Sequence, residues 1–350
     1  MKLLAVSDTY CPASFMREGL ASLGELGVEV EVRAWEHDDL VALQEANLAI
    51  EQGGPQAVVL PRDVTDAVGD FEILVVQFAP VSGELIEAAT RLGVIGVLRS
   101  GVENVDVDVA TRRSVTVMNT PGRNARAVAE ATMGMILAEI RNIARAHACL
   151  TRGDWRRAFP NRGAIPELCG KTVGLVGYGS VGRLVAGYLE AFGSEIIAYD
   201  PYVQGDPAPA RLVDLATLMA RSDVVSVHAR LTEATRHLIG RAELARMKPT
   251  AVLVNTARSG LIDESALIDA LAEHRIMGAA LDVFDVEPLP PEHPFLTLDN
   301  VTVTPHLAGS TRDAFLNSTR LMAGHLTRML TGQGDLPIVN GVAPRLCAGA

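Results

Sequence analysis

No stretch of this 350-residue chain stays apolar long enough to span a membrane, its four cysteines form no recognisable pairs, and positive charge is in deficit. Each shortage excludes something. A transmembrane helix needs about twenty apolar residues in a row, and the short run ahead of Asp8 falls short even of a secretory leader's core. Cys11, Cys149, Cys169 and Cys347 show neither CxxC spacing nor histidines set around them, which argues against a zinc site or a disulfide framework and for reduced, structural thiols. Neither HExxH nor an EF-hand loop occurs, so no metal cofactor is expected. With 31 basic against 42 acidic side chains the net charge is −11. That balance repels nucleic acid and anionic membrane unless a basic block overrides it, and no such block is present. What is there, 48% hydrophobic and 21% charged residues, suits a soluble globular protein of two domains, expected in the cytoplasm as an enzyme or a binding protein.

Up to about residue 120, short β-like runs (KLLAV, VEVEVRAW, EILVVQF, VIGVL, VTVM) alternate with amphipathic segments such as SFMREGLASLGELG and SGELIEAATRL. Alternation of this kind signals βαβ units and a parallel sheet. Beyond Pro121-Gly122 the pattern predicts one long helix from about Ala125 to Leu150, too apolar for a single narrow stripe. It is read either as a central core helix or as one that also packs on a second subunit. After the polar loop DWRRAFPNRG, six further β-like segments with helical connections predict a doubly wound sheet. The closing helical pattern, STRDAFLNSTRLMAGHLTRMLTG, is too short to be a domain and should pack back on the first one. The tail after Gly334 is expected to be peripheral. The fold class is therefore α/β, with two Rossmann-like domains: a discontinuous flavodoxin-like domain (1–120 plus 310–350) and a doubly wound dinucleotide-binding domain (121–309).

In KTVGLVGYGSVGRLVAGYLEAFG, Gly177, Gly179 and Gly182 form GxGxxG between a β-like run and a helical one. Dinucleotide binding needs one glycine for the tight turn, one to admit the pyrophosphate to the backbone and one for helix-on-strand packing, with the helix N-terminus facing the phosphates. A bare GxGxxG is weak, but here EIIAYD follows and ends in Asp200, 18 residues past Gly182. A carboxylate there accepts the adenosine ribose hydroxyls and repels a 2′-phosphate; PYVQGD offers no arginine to offset it, which favours NAD(H) over NADP(H).

Ligands of open α/β sheets bind beyond the carboxyl ends of the strands, so polar residues just after apolar runs are the candidates for chemistry. Three stand out: Arg258 after AVLVNTA, Glu287 after GAALDVFDV, and His306 after NVTVTP. His228, after SDVVSV, is a rival acid. Together GVENVD, NTPGRNARAVAE, GYGSVG with Asp200, NTARSGLID, LDVFDVEP and TPHLAG, in that order from about residue 100 to 310, resemble the D-isomer-specific 2-hydroxyacid dehydrogenases. That family includes glyoxylate/hydroxypyruvate reductases, D-lactate dehydrogenases and phosphoglycerate dehydrogenases.

The resemblance implies roles. Arg258 would fork onto a 2-oxo acid, a task for a guanidinium that keeps its proton. His306 would give the carbonyl oxygen its proton, and Glu287 would orient the imidazole and favour its charged form. His228 would lie beside the cofactor. Ser180, Val181, Ala229, Thr256, Ala257, Ala308 and Gly309 match NAD contacts, and Asp282 matches the acid that holds the nicotinamide carboxamide. Ser100 and Gly101 match a loop whose N–H groups hold the substrate carboxylate. Two departures are notable: Arg230 stands where many members have proline, and Arg99 where many have a small residue. Arg99 either reads a hydroxylated or phosphorylated substrate tail or pairs with a nearby acid.

The implied activity is NAD-dependent interconversion of a 2-oxo acid and an (R)-2-hydroxy acid, with hydroxypyruvate, glyoxylate or a small sugar acid as substrates, in a homodimer joined through the NAD-binding domain. An NAD(H)-sensing, corepressor-like binding protein and a formate- or phosphite-type dehydrogenase stand as alternatives.

Overall fold

The computed structural model describes residues 1–161, 163 and 167–345, in two compact units: Met1–Asn124 with the chain from Thr311 onward, and Ala125–Ser310. Cys347 and Arg162 of the polar loop lie outside the described residues.

In the first unit, β1 (Lys2–Ser7), β2 (Glu29–Ala34), β3 (Ile73–Val76), β4 (Val94–Val97) and β5 (Thr116–Met118) form a parallel sheet in the order β2-β1-β3-β4-β5. This is the flavodoxin-like order. Helices α1 (Ala13–Leu20), α2 (Leu40–Gly53), α3 (Arg62–Thr65), α4 (Gly83–Ala88) and α5 (Val107–Arg112) connect the strands. Asp39, Ser82 and Asp106 start α2, α4 and α5 by accepting the amides of Ala42, Leu85 and Val109, each such cap stabilising by about 1 kcal/mol. Strands β1, β3 and β4 read as unbroken apolar runs because both faces are covered. Leu4, Val6, Leu74 and Val76 pack on one side; Leu3, Ala5, Ile73 and Val75 pack on the other, with residues of the Arg312–Leu330 helix. That helix crosses α1 so closely that a Cβ on Gly19 would lie 1.7 Å from Thr319 Oγ1. The tail is not peripheral: Ile338 bridges Met118 antiparallel, and Asn340 accepts the Val117 amide. An edge strand with unpaired amides recruits whatever segment passes it, and no residue pattern in the tail announces this.

The second unit holds β6 (Thr172–Val176), β7 (Glu195–Tyr199), β8 (Arg211–Leu212), β9 (Val224–Val227), β10 (Val252–Asn255), β11 (Gly278–Leu281) and β12 (Val301–Val303), all parallel in the order β12-β11-β10-β9-β6-β7-β8. The six expected strands are joined by the two-residue β8, too short to leave a periodic signal. The order is that of a doubly wound dinucleotide-binding sheet with one strand added, its switch point between β6 and β9.

The expected single helix over 125–150 is instead two, α6 (Ala125–Ile140) and α7 (Ile143–Leu150), because Asn142 takes a left-handed conformation at φ 56°. Asparagine tolerates that conformation better than most residues. Its side chain donates to Asn161, which donates in turn to the Ile140 carbonyl left open at the end of α6. Ala129, Met133, Ile136 and Ile140 of α6 are buried with residues of β6, β10 and the helix α8 (Ser180–Ala191). These four side chains are thus covered within their own unit. Glu139 is buried there, receiving Arg145 Nη2 at 2.5 Å and Thr302 Oγ1 at 2.7 Å. Burial raises its pKa against the pull of Arg145.

Candidate active site

At the switch point, Gly177 has φ +97°, and a Cβ on it would lie 2.4 Å from the Ala229 amide nitrogen. Only glycine fits a left-handed turn pressed against the neighbouring strand's backbone. A Cβ on Gly182 would lie 2.4 Å from the Gly177 carbonyl oxygen, so the second close approach is helix on turn; one on Gly179 would meet nothing within 4 Å. Gly179 opens α8 without any side-chain cap, and Ser180 and Val181 form its first turn. The first amides of α8 and the helix's positive end thus face open space, which suits a pyrophosphate. Asp200, just past β7, accepts the amides of Tyr178 at 2.8 Å and Tyr202 at 2.9 Å, one on each oxygen. Each oxygen keeps a lone pair for a ribose hydroxyl. These residues fit a dinucleotide.

The other candidates come from three neighbouring strands. Because Asn255 of β10 pairs with Leu281 of β11, and Leu281 with Val303 of β12, the loops after these strands leave the sheet side by side. Arg258 follows β10 in extended conformation, exposed, with Nη1 donating to the Ala257 carbonyl at 2.7 Å. Asn255, not singled out in the sequence, holds this turn from both sides: Oδ1 accepts the Ala257 amide and Nδ2 donates to the Arg258 carbonyl. Thr256 is buried, sharing a hydrogen bond with Thr132.

After β12, His306 sits at φ 52°, a backbone conformation costly for a residue other than glycine and one that persists only where its surroundings impose it. Asp282, buried past β11, supplies that constraint. Oδ1 accepts Thr304 Oγ1 and the Leu307 amide, and Oδ2 accepts the Ala308 amide, so one carboxylate clamps both flanks of His306. Oδ2, with a single donor, keeps a lone pair for a carboxamide N–H. His306 Nδ1 lies 2.8 Å from Glu287 Oε2, and Glu287 Oε1 accepts the Phe284 amide. The Glu287 hydrogen bond raises the pKa of His306 against partial burial and the charge of Arg258. Burial works against ionisation of Glu287, but the imidazole and the Phe284 amide prevail and its pKa is lowered. The pair therefore favours imidazolium and carboxylate together. His228 is the opposite case: burial pushes its pKa down to about 4, and its Nε2 shares a hydrogen bond with Ser226. A neutral imidazole at pH 7 has no extra proton to give.

In the first unit, Arg99 donates to Asn47, Glu51 and Glu103. The acid-pairing alternative for this residue is thus realised. Ser100, beside it, accepts Asn119 Nδ2 on its carbonyl at 2.6 Å. Arg230 enters no ion pair among the described residues; its carbonyl accepts Thr235 Oγ1.

Residues 133–308, half of the chain, match the family described as D-isomer specific 2-hydroxyacid dehydrogenase, NAD binding domain. The chain belongs to this family. The resemblance carried by the motifs is borne out, and so is the α/β architecture of two Rossmann-like domains, with the NAD-binding one in the second unit. Among its relatives, the D-3-phosphoglycerate dehydrogenase of Methanocaldococcus jannaschii is 43% identical over 284 residues, 80% of this chain but 53% of that one. The hydroxypyruvate reductase of Thermotoga maritima is 44% identical over 251 residues, 71% of this chain and 81% of that one. The chain thus spans about half the length of the first relative and most of the second. A solved D-lactate dehydrogenase with NAD+ from Lactobacillus jensenii, 25% identical, superposes with a TM-score of 0.76 over 97% of this chain and 99% of that one.

Proposed function

We propose that the protein is an NAD-dependent 2-hydroxyacid dehydrogenase that interconverts a 2-oxo acid and an (R)-2-hydroxy acid. The observation that carries the reading is the Glu287–His306 hydrogen bond on a strand end two places from Arg258, in the unit with the glycine turn. NADH, bound along Gly177–Gly182 and Asp200, would supply the hydride. Arg258 holds the substrate carboxylate and polarises the carbonyl, a use of its planar fork. His306 donates the proton to the carbonyl oxygen in reduction and takes it back in oxidation. Glu287 keeps that proton on the ring at neutral pH. Ala229, Thr256, Ala257, Ala308 and Gly309, at the ends of β9, β10 and β12, would contact the cofactor, and Asp282 would hold its carboxamide.

NADH is preferred over NADPH, because Asp200 would face a 2′-phosphate with like charge and no arginine stands among the next residues to offset it. Steady NADH oxidation with hydroxypyruvate, glyoxylate and four-carbon sugar 2-oxo acids tests both points when NADPH is run in parallel. Turnover with at least one acid, faster with NADH, is the expected result; no turnover with any of them, while NADH still binds, would sink the activity.

The protein acts as a homodimer in the cytoplasm. Ile143 and Leu150 of α7 and Trp155 just beyond it are exposed apolar side chains on one short segment of the NAD-binding unit, the kind of surface that a second copy covers. Cys11, Cys149 and Cys169 are unpaired, and no described helix is long and apolar enough to cross a membrane. Sedimentation equilibrium should give twice the chain mass, and Trp155→Glu with Ile143→Glu should shift it toward the single chain; a monomer at all concentrations would refute the dimer.

A further inference from the structure

At the carboxyl ends of β1, β3, β4 and β5 the first unit gathers two arginines and three aromatic rings in a row. The Arg99 guanidinium lies 5.1 Å from the centre of the Phe78 ring, Phe78 lies 5.8 Å from Tyr10, Tyr10 stacks on Phe315 at 5.0 Å, and the Arg123 guanidinium lies 5.1 Å from Phe315. The two ends of the row differ. Arg99 is answered by Glu51 at 2.9 Å and Glu103 at 3.3 Å. Arg123 has no carboxylate within ion-pair distance among the described residues, and its Nη1, although buried, has no hydrogen-bond partner. Asp8, whose charge bears on Arg123, directs its oxygens to the amides of Tyr10, Cys11 and Phe78. Burial, and then the like charge of Arg99, lower the pKa of Arg123 to about 10, which still leaves it a cation at neutral pH. Gln77, fully buried at the end of β3, has both amide atoms without partners.

A largely buried cation over an aromatic ring, with no carboxylate in ion-pair contact and a donor unmet, costs free energy unless something completes it. We propose that Arg123 is the core of an oxyanion-binding site in the first unit, taking a carboxylate or phosphate group on its free Nη1. Arg99, already paired, is not the reader of that group. The oxyanion is either borne by a doubly charged 2-oxo acid, a case that rests on the dehydrogenase reading, or a free anion.

Two measurements on the full chain separate these sources. The first is calorimetric titration with malonate and with inorganic phosphate, in an Arg258→Met background that removes the cation proposed to hold the substrate carboxylate. Arg123→Met should weaken binding by about tenfold or more, and Arg123→Lys, which keeps the charge and most of the stem, by less. The second compares kcat/KM for 2-oxobutanedioate with that for 2-oxobutanoate, matched in length and differing in the end charge. If the substrate carries the oxyanion, the ratio favours the dianion and falls about tenfold or more in Arg123→Met, a change that loss of packing alone would not make selective. Weakened titration with an unchanged ratio identifies a free anion as the ligand. No binding of either anion together with an unchanged ratio overturns the proposal. If Arg123→Met fails to fold, Arg123→Lys carries the same contrasts at smaller size. Should no 2-oxo acid be turned over by the unaltered protein, the dehydrogenase reading fails, and the titration still decides on Arg123.

Discussion

Replacing His306 with asparagine should slow 2-oxo acid reduction by about a hundredfold or more while leaving the NADH dissociation constant nearly unchanged. Asparagine keeps a donor near the same place and a backbone tolerant of the left-handed region, so the His306 turn held by Asp282 survives and only the transferable proton is lost. Stopped-flow reduction rates and NADH fluorescence titration read the two quantities separately. The pH profile adds a sign. On the proposed mechanism reduction requires the imidazolium, so the rate should fall as pH rises through the His306 pKa, which Glu287 holds above its ordinary value. Glu287→Gln removes that support, and the fall should move to lower pH. A His306→Asn enzyme with full turnover would mean that another group is the acid. His228 cannot easily be that group, since burial leaves it neutral at the pH of the assay.

Much of this arrangement is legible in the sequence because it is carried by the alternation of apolar runs with polar residues at their ends. Arg258, Glu287 and His306 each follow an apolar run, and a parallel sheet turns that one-dimensional fact into three neighbouring strand ends. Gly177 and Gly182 are legible for a similar reason: the backbone approaches they permit recur wherever a strand, a tight turn and a helix meet over a phosphate. What escapes is whatever depends on partners far apart in the chain. Nothing near Arg99 points to Glu51, which faces it only because α2 folds over the end of β4. Asn255 looks like an ordinary strand-end residue until both ends of its amide are seen to grip the Arg258 turn. Asp282 is readable as an acid at a strand end, but its hold on residues 304 to 308 needs the β11–β12 register. Asn142 shows the limit of periodicity: apolar spacing continues through it, so a single helix is expected, yet one residue in the left-handed region breaks the helix in two.

Arg258→Met should lower kcat/KM for reduction by about a thousandfold or more. A guanidinium forked onto carboxylate and carbonyl makes at least two charge-assisted hydrogen bonds, each contributing about 1.5–3 kcal/mol, and about 1.4 kcal/mol corresponds to a factor of ten. Arg258→Lys keeps the charge but not the planar fork, and should recover only part of the loss. The turn itself should survive in both variants, because Asn255 fixes it through the backbone of residues 257 and 258 rather than through the guanidinium; NADH affinity then stays close to its original value. The charge has a second consequence that distinguishes this loss from simple misfolding. Arg258 depresses the pKa that Glu287 raises on His306, so removing it lets the imidazole keep its proton to higher pH. In Arg258→Met the residual reduction rate should therefore persist to higher pH than in the unaltered protein, the opposite direction to Glu287→Gln. Equal displacement in the same direction for both variants would mean that the two residues do not act on His306 as proposed, whatever their effects on rate.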